Sequence, residues 1–321
     1  MTVKALPARV AVWIAATGSA ALVAGVASLA AASSAGPAAS QRGGPIRPAA
    51  STAAASAAPS ATARPAAKPS PCPALPKGGL KLNPRFPLPK APRGATVTHP
   101  APELGCAYLK GYADVRKLDG ASLVGPGLAN LAIGLRVVYN LSTGYFEEDT
   151  AAELDYKTCA TCRIEHGLPP ARATFLAFGF MPVSATLQLT EIGTINIIGV
   201  GTTSALASNT AWALMELRIY DVDVNGQPLD VGAHCQTKQA LLVKLTGVAA
   251  GPQPYSLQGG GPLTGEITIP PFEGCGVTEN LDPLFTGTVS GPANYAVLTQ
   301  GPICTLIGDL GCPPPVPKPV R

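Results

Sequence analysis

The chain predicts a mostly β fold, an antiparallel β-sandwich of about nine strands, stapled by disulfides and preceded by a disordered linker. Three observations carry that expectation. Between Glu103 and Cys312, β-branched and aromatic residues alternate over short runs bounded by Gly, Pro and Asn, the pattern of strands and turns. Stretches with a 3.6-residue apolar period are scarce, so no helices are available to cover a sheet, and the economical solution packs sheet on sheet. All eight cysteines, at 72, 106, 159, 162, 235, 275, 304 and 312, lie beyond residue 35 and are even in number, which suits an oxidising compartment.

Taken in order, residues 1–35 read as an export signal. Lys4 and Arg9 form a basic start, and Val10 to Ala32 is apolar, with small residues before Gly36-Pro37. Cleavage is expected near Ala32 or Ala35. The stretch is long enough to span a bilayer if it stays uncleaved, so membrane contact is expected only through an uncleaved leader. Residues 36–102 are dominated by Ala, Pro, Ser, Gly and Lys/Arg, a composition that buries too little apolar area to offset ordering entropy. They are expected to be a disordered Ala/Pro-rich linker with polyproline-like stretches. Residues 103–312 form the predicted domain and 313–321 a Pro-rich tail.

Charge follows the same division. Eleven of the 23 Lys and Arg precede Glu103, the first acid, whereas Glu103 to Cys312 holds ten bases against nineteen acids, a formal charge of −9. A folded part of that sign repels phosphate, which excludes nucleic acid as a partner.

Within the domain, Leu131, Ile133, Leu135, Val137 and Tyr139 share one face by period two. Further strands are expected at Thr174–Phe180, Ala185–Thr190, Thr194–Val200, Ala213–Val224, Ala240–Leu245, Leu263–Ile269, Gly287–Ser290 and Tyr295–Thr299. Turn signals separate them at Ile192-Gly193, Asn225-Gly226, Gly259 to Gly261 and Gly291-Pro292. Glu147 to Tyr156 predicts two helical turns capped by Asp149 or Thr150, and Ser204 to Leu214 fits either helix or strand. Trp212, between strand-like neighbours, is expected in the core.

Asp221, Asp223 and Asn225 set side-chain oxygens at positions one, three and five before Gly226, as at the start of a calcium loop. Position twelve, however, is Gly232 where a bidentate Glu is needed, and Pro228 interrupts the ligand stretch. A hairpin with a type I′ turn at Asn225-Gly226 is the expectation, and calcium the alternative. Cys159-Ala-Thr-Cys162 has the spacing of redox and zinc sites, but without a βαβ setting or a second ligand pair it reads as a structural disulfide. The pairs expected are Cys159–Cys162, Cys235–Cys275 and Cys304–Cys312, among 105 connectivities that spacing leaves open. No cofactor other than calcium is suggested.

Of three histidines, His99 falls in the linker, leaving His166 and His234 as general bases, with Glu147, Glu148, Asp149, Glu153 and Asp155 as nearby acids. No G-x-S-x-G elbow nominates a nucleophile. Gly199-Val-Gly201 lacks the third glycine of a dinucleotide loop and reads as a turn. Tyr139, Tyr145 and Phe146 could form an aromatic patch.

At "LPPARATFLAFGFMPVSATLQL" from Leu168, "GEITIPPFEGCG" from Gly265 and "LFTGTVSGPANY" from Leu284, the chain resembles uncharacterised secreted proteins of actinobacteria. The resemblance implies export and a β fold, and no activity or catalytic residue. The expected function is an exported non-enzymatic surface, structural or binding module, with a cell-wall polymer or surface protein as partner. The alternatives are an extracellular hydrolase using His166 or His234 and a calcium-dependent adhesion domain.

Overall fold

The structure, a computed structural model, describes residues 72–157, 165–202, 205–306 and 312–320. The leader, residues 36–71 and the expected Cys159–Cys162 pair lie outside the described residues. In chain order the elements are β1 Thr96–Thr98, β2 Glu103–Val115, a 3-10 turn Arg116–Leu118, β3 Gly120–Asn140, β4 Tyr145–Tyr156, β5 Glu165–Ala177 and β6 Met181–Glu191. There follow β7 Ile195–Thr202, β8 Ala205–Val224, β9 Gln227–Leu229, β10 Gln236–Thr237, β11 Leu241–Val248 and β12 Gly261–Ile269. The chain ends with β13 Phe272–Glu273, helix α1 Asp282–Thr288, β14 Gly291–Gln300 and β15 Cys304–Thr305.

The mostly antiparallel β architecture is present, and the two layers are one sheet. Among the described residues, fifteen strands join in a single hydrogen-bonded network. Within it β3, β2, β14, β12, β11, β8, β7 and β4 pair in succession, and β4 pairs back onto β3, so eight antiparallel strands close a ring. Closure satisfies the backbone groups that an open sheet leaves at its edges. The long β8 serves two neighbours: its first half pairs β7, as at Asn196↔Trp212, and its second half pairs β6, as at Glu191↔Met215. β5 and β6 therefore occupy one end of the ring in place of β7, and β5 returns to β4 at Asp155↔His166. Leu131, Leu154, Leu168, Met215, Leu217 and Ile269 belong to the buried interior cluster.

Several expectations are corrected. Glu147 to Tyr156 is β4, not a helix: its Ala and Glu favour helix locally, but it lies between β3 and β7, and ladders on both sides override propensity. Ser204 to Leu214 resolves as strand from Ala205 onward. Gly287–Ser290, expected as a strand, follows Asp282-Pro283, a helix start, and Gly287 and Thr288 close α1 with Phe285 buried. The shared face of β3 ends at Gly134, whose φ of 74° and a register shift between Ala132 and Arg136 exchange the faces, so that Val138 rather than Val137 is fully buried.

Ordered structure also reaches back at least to Cys72, about thirty residues before Glu103. A Cys72–Cys106 disulfide ties the Pro-rich segment to β2, and β1 pairs β3 at Val97↔Val138. Asn83 N–H donates to Asn196 Oδ1 at 2.7 Å while Asn196 Nδ2 returns a bond to Asn83 O at 3.1 Å. Phe86 stacks on Trp212, ring centroids 6.2 Å apart, which places Trp212 on the outer face of β8 under this segment rather than in the interior. The composition argument failed here because covalent anchoring and backbone pairing order a segment that has little apolar area of its own. The 313–320 stretch likewise lies along β14, where Val320 N–H donates to Thr299 Oγ1.

Candidate functional site

The interior of the closed sheet is incompletely filled. A first cavity of about 100 Å³ is lined by residues of β2 to β8, β11, β12 and β14, and seven of them are Ala: Ala107, Ala113, Ala129, Ala152, Ala211, Ala213 and Ala296. A cavity of about 90 Å³ shares Ala113, Leu168 and Val243 with it, and one of about 140 Å³ shares Val115, Leu187 and Leu217 with the second. Three cavities thus run in series along the interior. Native interiors seldom leave voids larger than a water molecule, and an unfilled apolar void of 100 Å³ costs about 2 kcal/mol. At one end the β11–β12 loop closes the lumen: Tyr255 O–H donates to Gln300 Oε1 at 2.7 Å, Gln300 Nε2 donates to Leu257 O, and burial raises the Tyr255 hydroxyl pKa. At the other end the third cavity reaches Phe178 at the β5–β6 tip and Leu284 of α1, both exposed. Nothing in the spacing of isolated alanines announced a cavity, because the lining comes from strands far apart in sequence.

The second candidate gathers residues that the sequence had nominated. Adjacent ends of β4, β5 and β6 bring His166, Glu153, Asp155 and Glu191 together, and Glu191 was not among the expected residues. His166 Nδ1 lies 2.9 Å from Asp155 Oδ1 and 3.5 Å from Glu153 Oε1, with the imidazole half exposed. Asn130 Nδ2 donates to the other Asp155 oxygen, and Leu154 N–H donates to Glu191 Oε2 at 2.9 Å. Glu153, His166 and Glu191 each offer one ligand atom within 4.8 Å of the others, a donor set that could hold a divalent ion. Among the described residues no hydroxyl or thiol hydrogen-bonds to His166, so the pair can orient an imidazole but has no positioned nucleophile beside it.

Burial raises the Asp155, Glu153 and Glu191 carboxyls, and Glu191 is pushed up to about 8, its neighbours Glu153 and Asp155 adding to the effect. An acid whose pKa is higher folded than unfolded binds its proton more tightly in the native state. Its contribution is complete below the unfolded value of 4.5 and is lost as pH rises to about 8. Chemical denaturation is therefore expected to show stability falling between those limits, by at most about 1.4 kcal/mol per pH unit from this group. Glu191→Gln should flatten the slope, and an unchanged slope in that variant would refute the assignment.

A third polar group is structural. On the outer face of β3 and β4, Arg136 Nη1 donates to Glu147 Oε1 at 2.5 Å and to Asp149 Oδ2 at 2.6 Å, and both carboxylates are fully buried. Arg136 Nη2 donates to Pro89 O at 3.2 Å, closing the group beneath the Pro-rich segment. Tyr145 O–H donates to Glu147 Oε2, and burial with that bond pushes its hydroxyl pKa up to about 12. Burial also raises the Asp149 carboxyl despite the guanidinium. The acidic run is mostly covered, and Tyr145 is a hydrogen-bonding member of it.

Asp221 and Asp223 lie at the end of β8 and Asn225 in the turn that follows it. Asn225 and Gly226, with φ of 51° and 79°, form the hairpin turn between β8 and β9. Asp223 faces Arg172 Nη2 at 2.5 Å across the β6 edge, and Arg172 Nη1 donates to Asp221 O, so the nearest charge to the would-be loop is already a cation. His234 is exposed beside Cys235 and makes no ion pair among the described residues. Cys235–Cys275 and Cys304–Cys312 are paired as expected. Three disulfides among the described residues fit an oxidising extracellular environment, and no helix among them is long and apolar enough to cross a membrane. The chain matches no protein-family model, no curated protein and no solved structure.

Proposed function

We propose that the chain is an exported, non-enzymatic binding module that takes a small apolar molecule into the lumen of its closed sheet. The observation that supports this reading is the series of three apolar cavities inside a barrel of a size that holds one small ligand. A disulfide-stapled sheet keeps such a space from collapsing, because side chains on rigid ladders cannot follow one another inward. The stretch before the fold, rich in Pro and cationic, suits a tether to an anionic cell wall or surface protein, in keeping with an exported chain. The test is titration of the oxidised full chain with N-phenyl-1-naphthylamine, a compact apolar fluorophore. Saturable emission at about one site per chain and a raised melting temperature are expected, since a ligand held only by the native state stabilises it. Emission that never saturates, with no thermal shift, defeats the reading.

The Asp155–His166 contact supports a second reading, hydrolysis with His166 as base. It requires His166→Ala to abolish an esterase or peptidase activity that the wild-type chain possesses; wild type without activity above background ends it.

A further inference from the structure

We infer that the lumen holds one slender, uncharged single-chain lipid, with a hydroxyl or amide end against Asn209 and its tail towards the β5–β6 tip. This rests on the lumen reading above and adds the class and direction of the ligand.

Shape comes first. The interior is three narrow cavities in series, none above about 140 Å³, rather than one chamber. A broad molecule of several fused rings, such as a sterol, needs more width in one place than a naphthyl group; a single alkyl or prenyl chain needs only length. The β8 residues that line the series run from Ala211 to Val224, roughly 40 Å of strand at ~3.3 Å per residue, shortened by tilt to about 30 Å along the barrel axis.

Direction follows from the two ends. Ala211 and Ala213 face the first cavity, so the period of two puts Asn209 on the same inner face. Opposite it on β7, after the inward Ile195 and Ile197, stands Gly199. Any Cβ at Gly199 would lie 2.7 Å from Asn209 Oδ1, which places the amide across the inner face of that glycine. Asn209 is 2 % exposed and, among the described residues, its Oδ1 accepts no hydrogen bond. A buried acceptor without a donor carries a penalty that a ligand O–H or N–H would relieve. At the opposite end the tip carries Leu176, Phe178 and Phe180 at 51 %, 67 % and 72 % exposed, and Phe178 also lines the last cavity. Apolar side chains standing in water at the mouth of an apolar channel suit the passage of an alkyl tail.

Charge narrows the class. The lining is apolar but for Gln300 in the first cavity, Asp114, Ser122 and Asn294 in the middle one and Thr288 in the last. The one charged group is an acid, so an ionised carboxylate or phosphate would be buried with neither a cation nor water beside it.

The experiment displaces N-phenyl-1-naphthylamine from the oxidised full chain with decan-1-ol, hexadecan-1-ol and, at pH 8, palmitate, each below its aggregation concentration. Hexadecan-1-ol is expected to act at a concentration at least tenfold below that of decan-1-ol and of palmitate. Asn209→Leu should weaken hexadecan-1-ol about fivefold, the share of one hydrogen bond, with the fluorophore's affinity measured separately for each variant because its own N–H can donate to Asn209; Asn209→Ser, whose shorter side chain withdraws the acceptor, serves if the Leu variant does not fold. Equal potency of the two alcohols, palmitate as potent as hexadecan-1-ol, or no effect of either Asn209 variant overturns the inference while fluorophore binding, and with it the lumen reading, stands. If the fluorophore itself does not bind, both fall.

Discussion

Replacing Cys72 and Cys106 together by Ser is expected to lower stability by about 4 kcal/mol, a drop in melting temperature of about 10 °C. The bridge closes a loop of 34 residues in sequence, and releasing it restores that much chain freedom to the unfolded state. The effect should also have a location. The segment from Cys72 to β1 holds its place through this bridge, the Asn83–Asn196 amide pair and Phe86 on Trp212. Limited proteolysis should therefore cut the double variant between residues 73 and 95 while the closed sheet resists, and wild type should resist cleavage there. A variant that melts at the wild-type temperature and resists cleavage there would show that the bridge does not anchor the segment.

Arg136→Met is expected to cost about 3 to 5 kcal/mol, because it leaves the fully buried Glu147 and Asp149 without their cation. Removing the acids as well should recover much of the loss: the triple variant Arg136→Met, Glu147→Leu, Asp149→Leu replaces a buried ionic group by apolar volume, an exchange that is often neutral. Equilibrium denaturation of the two variants separates the outcomes. If the single variant loses less than about 1 kcal/mol, the carboxylates are hydrated and the cover over them opens; if the triple variant is no better than the single one, the cost lies in packing rather than in stranded charge.

The two variants expose the same gap between pattern and structure. Glu147 and Asp149 sit in a run whose composition predicts a helix, and the run is a strand covered by the Pro-rich segment. Both facts depend on partners distant in sequence: β7, about fifty residues on, completes its ladder, and Pro89, about fifty residues before Arg136, closes the cover. Local propensity cannot anticipate either. Asn225-Gly226 was legible for the opposite reason, since a two-residue turn needs only its own backbone angles. His166 and Asp155 were both named in advance as separate candidates; that they touch follows from one residue pair between β4 and β5, and Glu191 joins them from β6 with no sequence signal at all.

The sequence by itself determined that the fold is antiparallel β and that the acids and most cysteines belong to it, with Cys235–Cys275 and Cys304–Cys312 expected among the pairings that spacing leaves open. Alternation, turn residues and short spacings are local properties, and they survive whatever the rest of the chain does. Only the tertiary structure decided that the sheet closes on itself, that the segment from Cys72 joins it, which cysteines pair, and that its interior keeps an alanine-lined space. Each of these depends on which strands become neighbours. That choice is made by ladders joining residues tens of positions apart, and by the total volume of side chains they turn inward, which no single stretch of sequence contains.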